Sequence, residues 1–358
     1  MSTPGASATP FDQLKQSSGE DWLAITQARK ATEPRQSLLS SICDNDNVAL
    51  PANSVVVCFG SLARGEWTSG SDVDWTLLID GMSDPDHFLA VQRIAKALEE
   101  AGMRKPGSTG TFGQLTSSHE LIHHVGGAGD TNQNLTRRML LLLESAGFPD
   151  SVILDRVILA VLDRYIVCDP AVSALGTPEW RVPRFLLNDV VRYWRTIAVD
   201  YATKKWQQPG QGWALRNIKL RMSRKLLFTK GMLLCFYCEN GDHEGTDPAD
   251  GRSVLKGIAR RCFELARMSP MDLLCRALHE HGDLAAARKV IGAYDEFLST
   301  LDDADKRAEL KELDASTAVT NSLFLKMRDL SHEYSEGLEE LFFDSEGFKS
   351  LTRKYGVF

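Results

Sequence analysis

The stretch Phe59-Gly60-Ser61-Leu62-Ala63-Arg64-Gly65-Glu66, followed after a short turn by Ser71-Asp72-Val73-Asp74-Trp75-Thr76-Leu77, decides how this chain is read. Ahead of it, Val55, Val56, Val57, Cys58 and Phe59 form a β-branched run between Pro51 and Gly60, which predicts a buried strand. Thr68-Ser69-Gly70-Ser71 reads as a turn, and Val73–Ile79 as a second strand. Each polar residue has a physical use. Gly60 lets the backbone approach a phosphate where a β-carbon would collide. Ser61 opens a short helix and offers its hydroxyl and nearby N–H groups to phosphate oxygens. Asp72 and Asp74 lie two apart on a predicted strand, so their carboxylates leave the same face. Paired hard oxygen donors at that spacing suit Mg²⁺ bridged to substrate phosphates. The plainer alternative is a glycine that only turns the chain and two acids facing solvent from an edge strand. Two acids in an apolar run are costly without a partner, which favours the chemical reading.

The pattern resembles that of the polymerase-β-like nucleotidyltransferase superfamily: Gly-Ser, about ten residues, then Asp-x-Asp. Ten residues separate Ser61 from Asp72. The longer GSLARGE…SDVD string is similar to the group holding antibiotic adenylyltransferases and minimal nucleotidyltransferases. The resemblance implies transfer of a nucleoside monophosphate from an NTP, ATP foremost, to an acceptor hydroxyl with release of pyrophosphate. It implies two Mg²⁺ ions, or Mn²⁺ in their place, on Asp72 and Asp74. Gly60, Ser61 and Arg64 would then hold the nucleotide. A third carboxylate usually comes from a neighbouring strand, and Glu120 is the candidate. It lies in Ser118-His119-Glu120-Leu121-Ile122-His123-His124, beside a predicted strand Leu121–Val125, where alternation puts Glu120, Ile122 and His124 on one face.

The same segment spells His-Glu-x-x-His, which on a helix supplies two zinc ligands and a base. Its β-prone flanks and the Gly126-Gly127 that follows argue for ordinary histidines. Cys235-x-x-Cys238, with His243 nearby, lacks a second cysteine pair and sits in an apolar helix, so buried thiols are expected. The run Gly126–Thr131 reads as a glycine-rich turn into a capped helix; it is also similar to an acceptor-bordering region of signal-protein uridylyltransferases.

Beyond the motif, a helix is predicted over Phe11–Ser41 after a disordered tail of ten residues, and others from Asp84 to about Gly102 and from Thr131 to Gly147. After Asp150, helical patterns dominate: 151–166, 184–207, 213–237, 253–267, 283–299 and 304–342, with an acidic break at Glu239–Gly251. The expected architecture is α+β: a tail and helix over 1–50, a small mixed α/β nucleotidyltransferase domain over 51–150, and an all-α domain over 151–358.

Between Arg181 and Lys230 twelve Lys or Arg face two acids, a local charge of +10 in a chain whose net charge is −7. The cations are residues 181, 184, 192, 195, 204, 205, 216, 219, 221, 224, 225 and 230, interleaved with aromatics that include Trp206. Within this stretch Arg216, Lys219, Ser223 and Lys230 line one side of a helix. In the resembled superfamily a following helical domain often gives a Lys and a Ser to the β- and γ-phosphates. Lys219 and Ser223 fit by spacing, with Arg216 and Arg224 beside them. The aromatic, basic composition favours a macromolecular acceptor, protein or RNA. A small-molecule or nucleotide acceptor, a solvated cationic face and a non-catalytic nucleotide-binding module are the alternatives. Scattered cysteines, odd in number, and the lack of a signal-like N-terminus or of the ~20 apolar residues a membrane span requires lead to the expectation of a soluble cytoplasmic protein.

Overall fold

A computed structural model describes residues 8–107, 111–168, 182–207, 212–238 and 251–356, with backbone alone at 203–207. The predicted tail (residues 1–7), Arg181, the side chains of Lys204, Lys205 and Trp206, residues 239–250 of the acidic break, and His243 lie outside the described residues. The helices are α1 (Pro10–Ser18), α2 (Leu23–Cys43), α3 (Gly60–Arg64), α4 (Pro85–Glu100), α5 (Ser118–His123), α6 (Asn132–Leu143), α7 (Val152–Ile166), α8 (Arg184–Gln207), α9 (Trp213–Lys219), α10 (Lys225–Phe236), α11 (Gly251–Arg267), α12 (Pro270–His281), α13 (Leu284–Asp302), α14 (Ala304–Glu312), α15 (Ala315–Ala318), α16 (Ser322–Glu339) and α17 (Lys349–Leu351). The strands are β1 (Ser54–Phe59), β2 (Asp74–Ile79), β3 (Gln114–Ser117) and β4 (Ala146–Phe148). The class is the expected one: a small mixed sheet near the N-terminus, then mostly helix.

The chain packs as two compact units, each drawn from separated segments. One comprises Met1–Gln27, Ala198–Leu233 and Pro270–Phe358; the other comprises Ala28–Ile197 and Leu234–Ser269.

The second unit holds the sheet, in the order β3-β2-β1-β4. β1 runs antiparallel to β2 and β4, while β2 and β3 are parallel, with α4 as the crossover. One sheet face is core: Val56, Cys58, Trp75 and Leu77 pack with Leu39 of α2 and Ile94 and Leu98 of α4. Asp84 caps α4, accepting from Asp86 N–H, with Pro85 at the first helical position.

Several expectations need correction. The third strand is Gln114–Ser117, and the predicted strand Leu121–Val125 is instead the end of helix α5 and its exit. Leu121 explains this, since it is buried on α5 beside α7. Helix α6 stops at Leu143, and Gly147 lies in a fourth strand opposite Val57. A β-carbon there would meet Asp150 O at 2.7 Å, so glycine permits the turn into α7. The predicted N-terminal helix is two, broken at Gly19 in the left-handed conformation. The predicted helix 304–342 is divided by caps at Asp314 and Asn321, whose side chains accept from following N–H groups. Helix α12 was not expected.

The first unit is helical, with α13 and α16 packed through Tyr294 and Tyr334 and α1 against α12. Between α9 and α10 the chain makes a π turn, Leu220–Arg224, in the middle of the basic stretch. Among the described residues no helix is long and apolar enough to cross a membrane.

Candidate active site

The site grows from the end of β1. Phe59 pairs opposite Asp74, so Gly60 emerges beside the first residue of β2. Gly60 has φ of +69°, and a β-carbon there would stand 3.2 Å from Asp74 Oδ2. Any other residue would both strain the backbone and crowd the carboxylate. The helix α3 that follows is one short turn, closed by Gly65 and Glu66 N–H groups donating to Ser61 O.

Arg64 fixes this turn from below. Its Nε donates to Glu66 Oε2 at 2.6 Å and its Nη1 to Glu144 Oε2, with all three side chains buried. Arg64, expected at the nucleotide, has its guanidinium matched by these two carboxylates. Gln36 Nε2 donates to Leu62 O and Trp67 N–H to Thr32 Oγ1, which anchors both sides of the turn on α2. Thr68 and Ser71 then close the return, Thr68 N–H donating to Ser71 Oγ and Ser71 N–H to Thr68 O.

Asp72 lies just before β2 rather than on it, and β2 begins at Asp74. The alternation still holds. Val73 and Trp75 are buried in the core, whereas Asp72 is exposed and Asp74 half-buried on the other face. Ser61, directly after Gly60, is half-buried.

Glu120 is elsewhere. β3 is parallel to β2, with Gln114 opposite Thr76 and Ser117 opposite Ile79, so α5 starts at the far end of β2 from Asp74. Five residues of strand, on the order of 16 Å, separate Asp74 from the end of β2 beside which α5 begins. It is exposed on α5, with Arg137 as its charged neighbour. On this register Glu120, the expected third carboxylate, follows the end of β3 that lies beside Ile79 rather than Asp74. The β3 residue on the acid face nearest to Asp74 is Gln114, whose carbonyl accepts from Thr76 Oγ1 at 2.6 Å. Only the register could have revealed it, because TFGQLTS carries no strong strand signal.

The His-Glu-x-x-His string is helical after all, and the His119 and His123 rings lie 4.7 Å apart. Among the described residues, however, no group of three or more His, Cys, Asp or Glu is arranged to hold a metal. Cys235 and Cys238 are buried; Cys238 Sγ lies 2.6 Å from Cys262 Sγ, and burial pushes the Cys235 and Cys262 thiols up, keeping them protonated.

The acid pair alone fits Mg²⁺. Two carboxylates on one face, one exposed and one backed by a glycine, match the way Mg²⁺ is held by one or two acids, with waters and substrate phosphates completing the shell. In the first unit, Lys219 ends α9, Ser223 lies in the π turn with its Oγ donating to Lys219 O, and Arg216 sits one turn earlier. Local π turns recur at functional sites.

Residues 37–106 match the family model of the nucleotidyltransferase domain, a span that contains β1, α3, β2 and α4. This chain carries a nucleotidyltransferase domain. The match is consistent with the polymerase-β-like superfamily and with the general activity of that domain, transfer of a nucleoside monophosphate from an NTP substrate. Such domains generally use divalent metals. Among curated proteins, none matches the chain.

A second set of charges belongs to the same unit as the nucleotidyltransferase fold. Arg138 of α6 is fully buried, and its Nη2 donates to both oxygens of Asp130 and to Asp189 of α8. Its Nε donates to Tyr165 Oη at 2.7 Å, and Tyr165 Oη donates to Asp189. Asp130 also accepts from Arg192 and from Gly126 N–H, so the glycine-rich run before α6 is tied to this network. Burial works against the Asp130 carboxylate, but hydrogen bonds from Arg138, Gly126 and Arg192 outweigh it and hold the pKa below the usual range.

Proposed function

We propose that this protein is a metal-dependent nucleotidyltransferase that moves an NMP, from ATP foremost, to an acceptor hydroxyl on a protein or RNA. The observation that carries the reading is the placement of Gly60 against Asp74, with Asp72 on the same face. In the reaction the acceptor oxygen bonds to the α-phosphorus, the bond from that phosphorus to the α–β bridging oxygen breaks, and pyrophosphate leaves. The acceptor proton passes to water or a carboxylate. Asp72 and Asp74 hold the divalent ions, two Mg²⁺ with Mn²⁺ able to replace them; when bound, these neutralise charge on the phosphates. Gly60 and the N–H groups of α3 receive phosphate oxygens, and Ser61 supplies a hydroxyl. Arg64 positions that turn through Glu66 and Glu144. Gln114 orients the acceptor hydroxyl by hydrogen bonding, in place of a third carboxylate. Arg216, Lys219 and Ser223 are the proposed phosphate-binding set of the helical part. Residues 51–150 form the catalytic domain, after a leading segment 1–50 and before the helical domain 151–358. The GSLARGE…SDVD form supports the minimal and antibiotic-adenylyltransferase-like group, and the cytoplasm is the proposed location.

The test is incubation of the full chain with each α-³²P-labelled NTP, Mg²⁺ and a cell extract, beside an Asp72→Ala/Asp74→Ala control. Label reaching protein, RNA or a small product only with the acids intact supports transfer and names the acceptor class. Equal labelling by both proteins with every nucleotide, in Mg²⁺ and in Mn²⁺, overturns it in favour of a nucleotide-binding module.

A further inference from the structure

A cavity of about 580 Å³ opens behind the sheet, between α4 and the segment that follows it. Trp75, Leu98, Met103 and Phe112 make its apolar wall, and Lys96 and Arg104 stand on its rim. We propose that this cavity is a binding site for a small amphipathic anion, an aromatic body bearing a phosphate, sulfonate or carboxylate, that acts on the acid pair from behind.

Size and lining favour such a ligand. Small-molecule sites run from about 300 to 1,000 Å³ and combine an apolar body with a few polar groups. Trp75 is 2% exposed and, with Leu98 and Met103, sets the body of the cavity on the sheet face opposite to Asp72 and Asp74, while Phe112 at its edge reaches Phe59 on the acid face. Its rim is cationic in an otherwise acidic chain. Lys96 and Lys105 have only surface partners, Glu100 at 3.7 Å and Glu99 at 3.0 Å, which exchange readily for a ligand. The exposed Arg104 guanidinium has no ion pair among the described residues.

The walls reach the acids through the backbone. Val73, between the two aspartates, donates its N–H to Arg104 O at 3.1 Å. Trp75, on the other side of Asp74, accepts from Gly113 N–H at 2.7 Å. The Phe112 ring lies 5.5 Å from that of Phe59, which pairs opposite Asp74. Both chain neighbours of Asp74 are thus held by cavity walls, and a ligand that shifts Arg104 or Phe112 shifts the carboxylates. This coupling rests on the proposed role of Asp72 and Asp74; the binding site does not.

The probe is 8-anilinonaphthalene-1-sulfonate, titrated into the full chain by calorimetry and by its fluorescence. The expected result is one site, unchanged by Asp72→Ala/Asp74→Ala or by saturating ATP with Mg²⁺. Arg104→Ala should weaken it about ten-fold, the loss of one charge contact. Ala95→Trp, on the exposed face of α4, should abolish it by filling the space. Both substitutions are at exposed positions, and an unchanged melting temperature confirms that the variants fold. Binding that ignores both variants, is displaced by ATP, or is absent overturns the site. In the labelling assay, saturating probe should change the transfer rate at least about two-fold in the wild type and not in Ala95→Trp, as coupling of ~0.4 kcal/mol or more requires. No change overturns the coupling. If the probe binds as expected while no NTP is turned over, the cavity stands and the proposed activity falls.

Discussion

Two charged regions of the sheet-bearing unit use the same side chains in opposite ways. At the β1–β2 turn, Asp72 and Asp74 are kept at the surface, with glycine behind them and the Arg64 guanidinium turned away to Glu66 and Glu144. Around α6, Asp130 and Asp189 are sunk against Arg138 and Arg192, and every charge is answered within the protein. The first arrangement sets its carboxylates at the surface, where the proposed cation and phosphates would meet them. The second matches its carboxylates with guanidinium groups and ties α6, α7 and α8 to the Gly126–Asp130 run. Acid residues alone therefore do not mark a site; exposure and what stands behind them do.

The contrast is breakable by mutation. Asp74→Asn should lower the rate of nucleotidyl transfer about 10³-fold, roughly 4 kcal/mol of transition-state stabilisation, while the melting temperature stays near wild type. A large loss of stability in this variant would put Asp74 in the same structural class as Asp130. Arg138→Ala should do the reverse. It leaves buried carboxylates unmatched and should cost about 3–5 kcal/mol in urea unfolding, with transfer per folded molecule retained. Gly60→Ala sharpens the comparison, since it combines backbone strain of roughly 1–3 kcal/mol with crowding of Asp74. It should lower both stability and rate, whereas Gly102→Ala, where no atom is crowded, should touch stability alone. The smallest effect is in pH. The folded Asp130 pKa is depressed, so its stabilisation is complete above the unfolded value of about 3.9 and is lost as pH falls through the folded one. Urea midpoints of wild type should fall more steeply below about pH 4 than those of Asp130→Asn.

Much of the β1–β2 turn was legible in sequence because its signals are local. A β-branched run ending at a glycine, a Gly/Ser turn and alternating acids survive without tertiary context, and β1, α3 and β2 formed nearly where expected. The errors fall where tertiary pairing decides. β3 and β4 are short strands of four and three residues whose pairing with β2 and β1 defines them. Glu120 was singled out beside a strand expected at Leu121–Val125, whereas β3 begins seven residues earlier, at Gln114. The pairing of Arg64 with Glu144 was not legible, because the two lie 80 residues apart in sequence. Asp130, Asp189, Tyr165 and Arg192 come together only through helix packing, and Gly126-Gly127 looked like a loop signal without revealing what holds it.

The central claim is that the α-phosphoryl group, with its nucleoside, is what this protein transfers through Asp72 and Asp74. The most direct measurement compares α-³²P- and γ-³²P-labelled ATP in parallel reactions with wild type and Asp74→Asn. The account predicts α label on the acceptor, γ label in pyrophosphate, and both lost together in the variant. Label transferred from the γ position, or α label transferred equally by the variant, would contradict it.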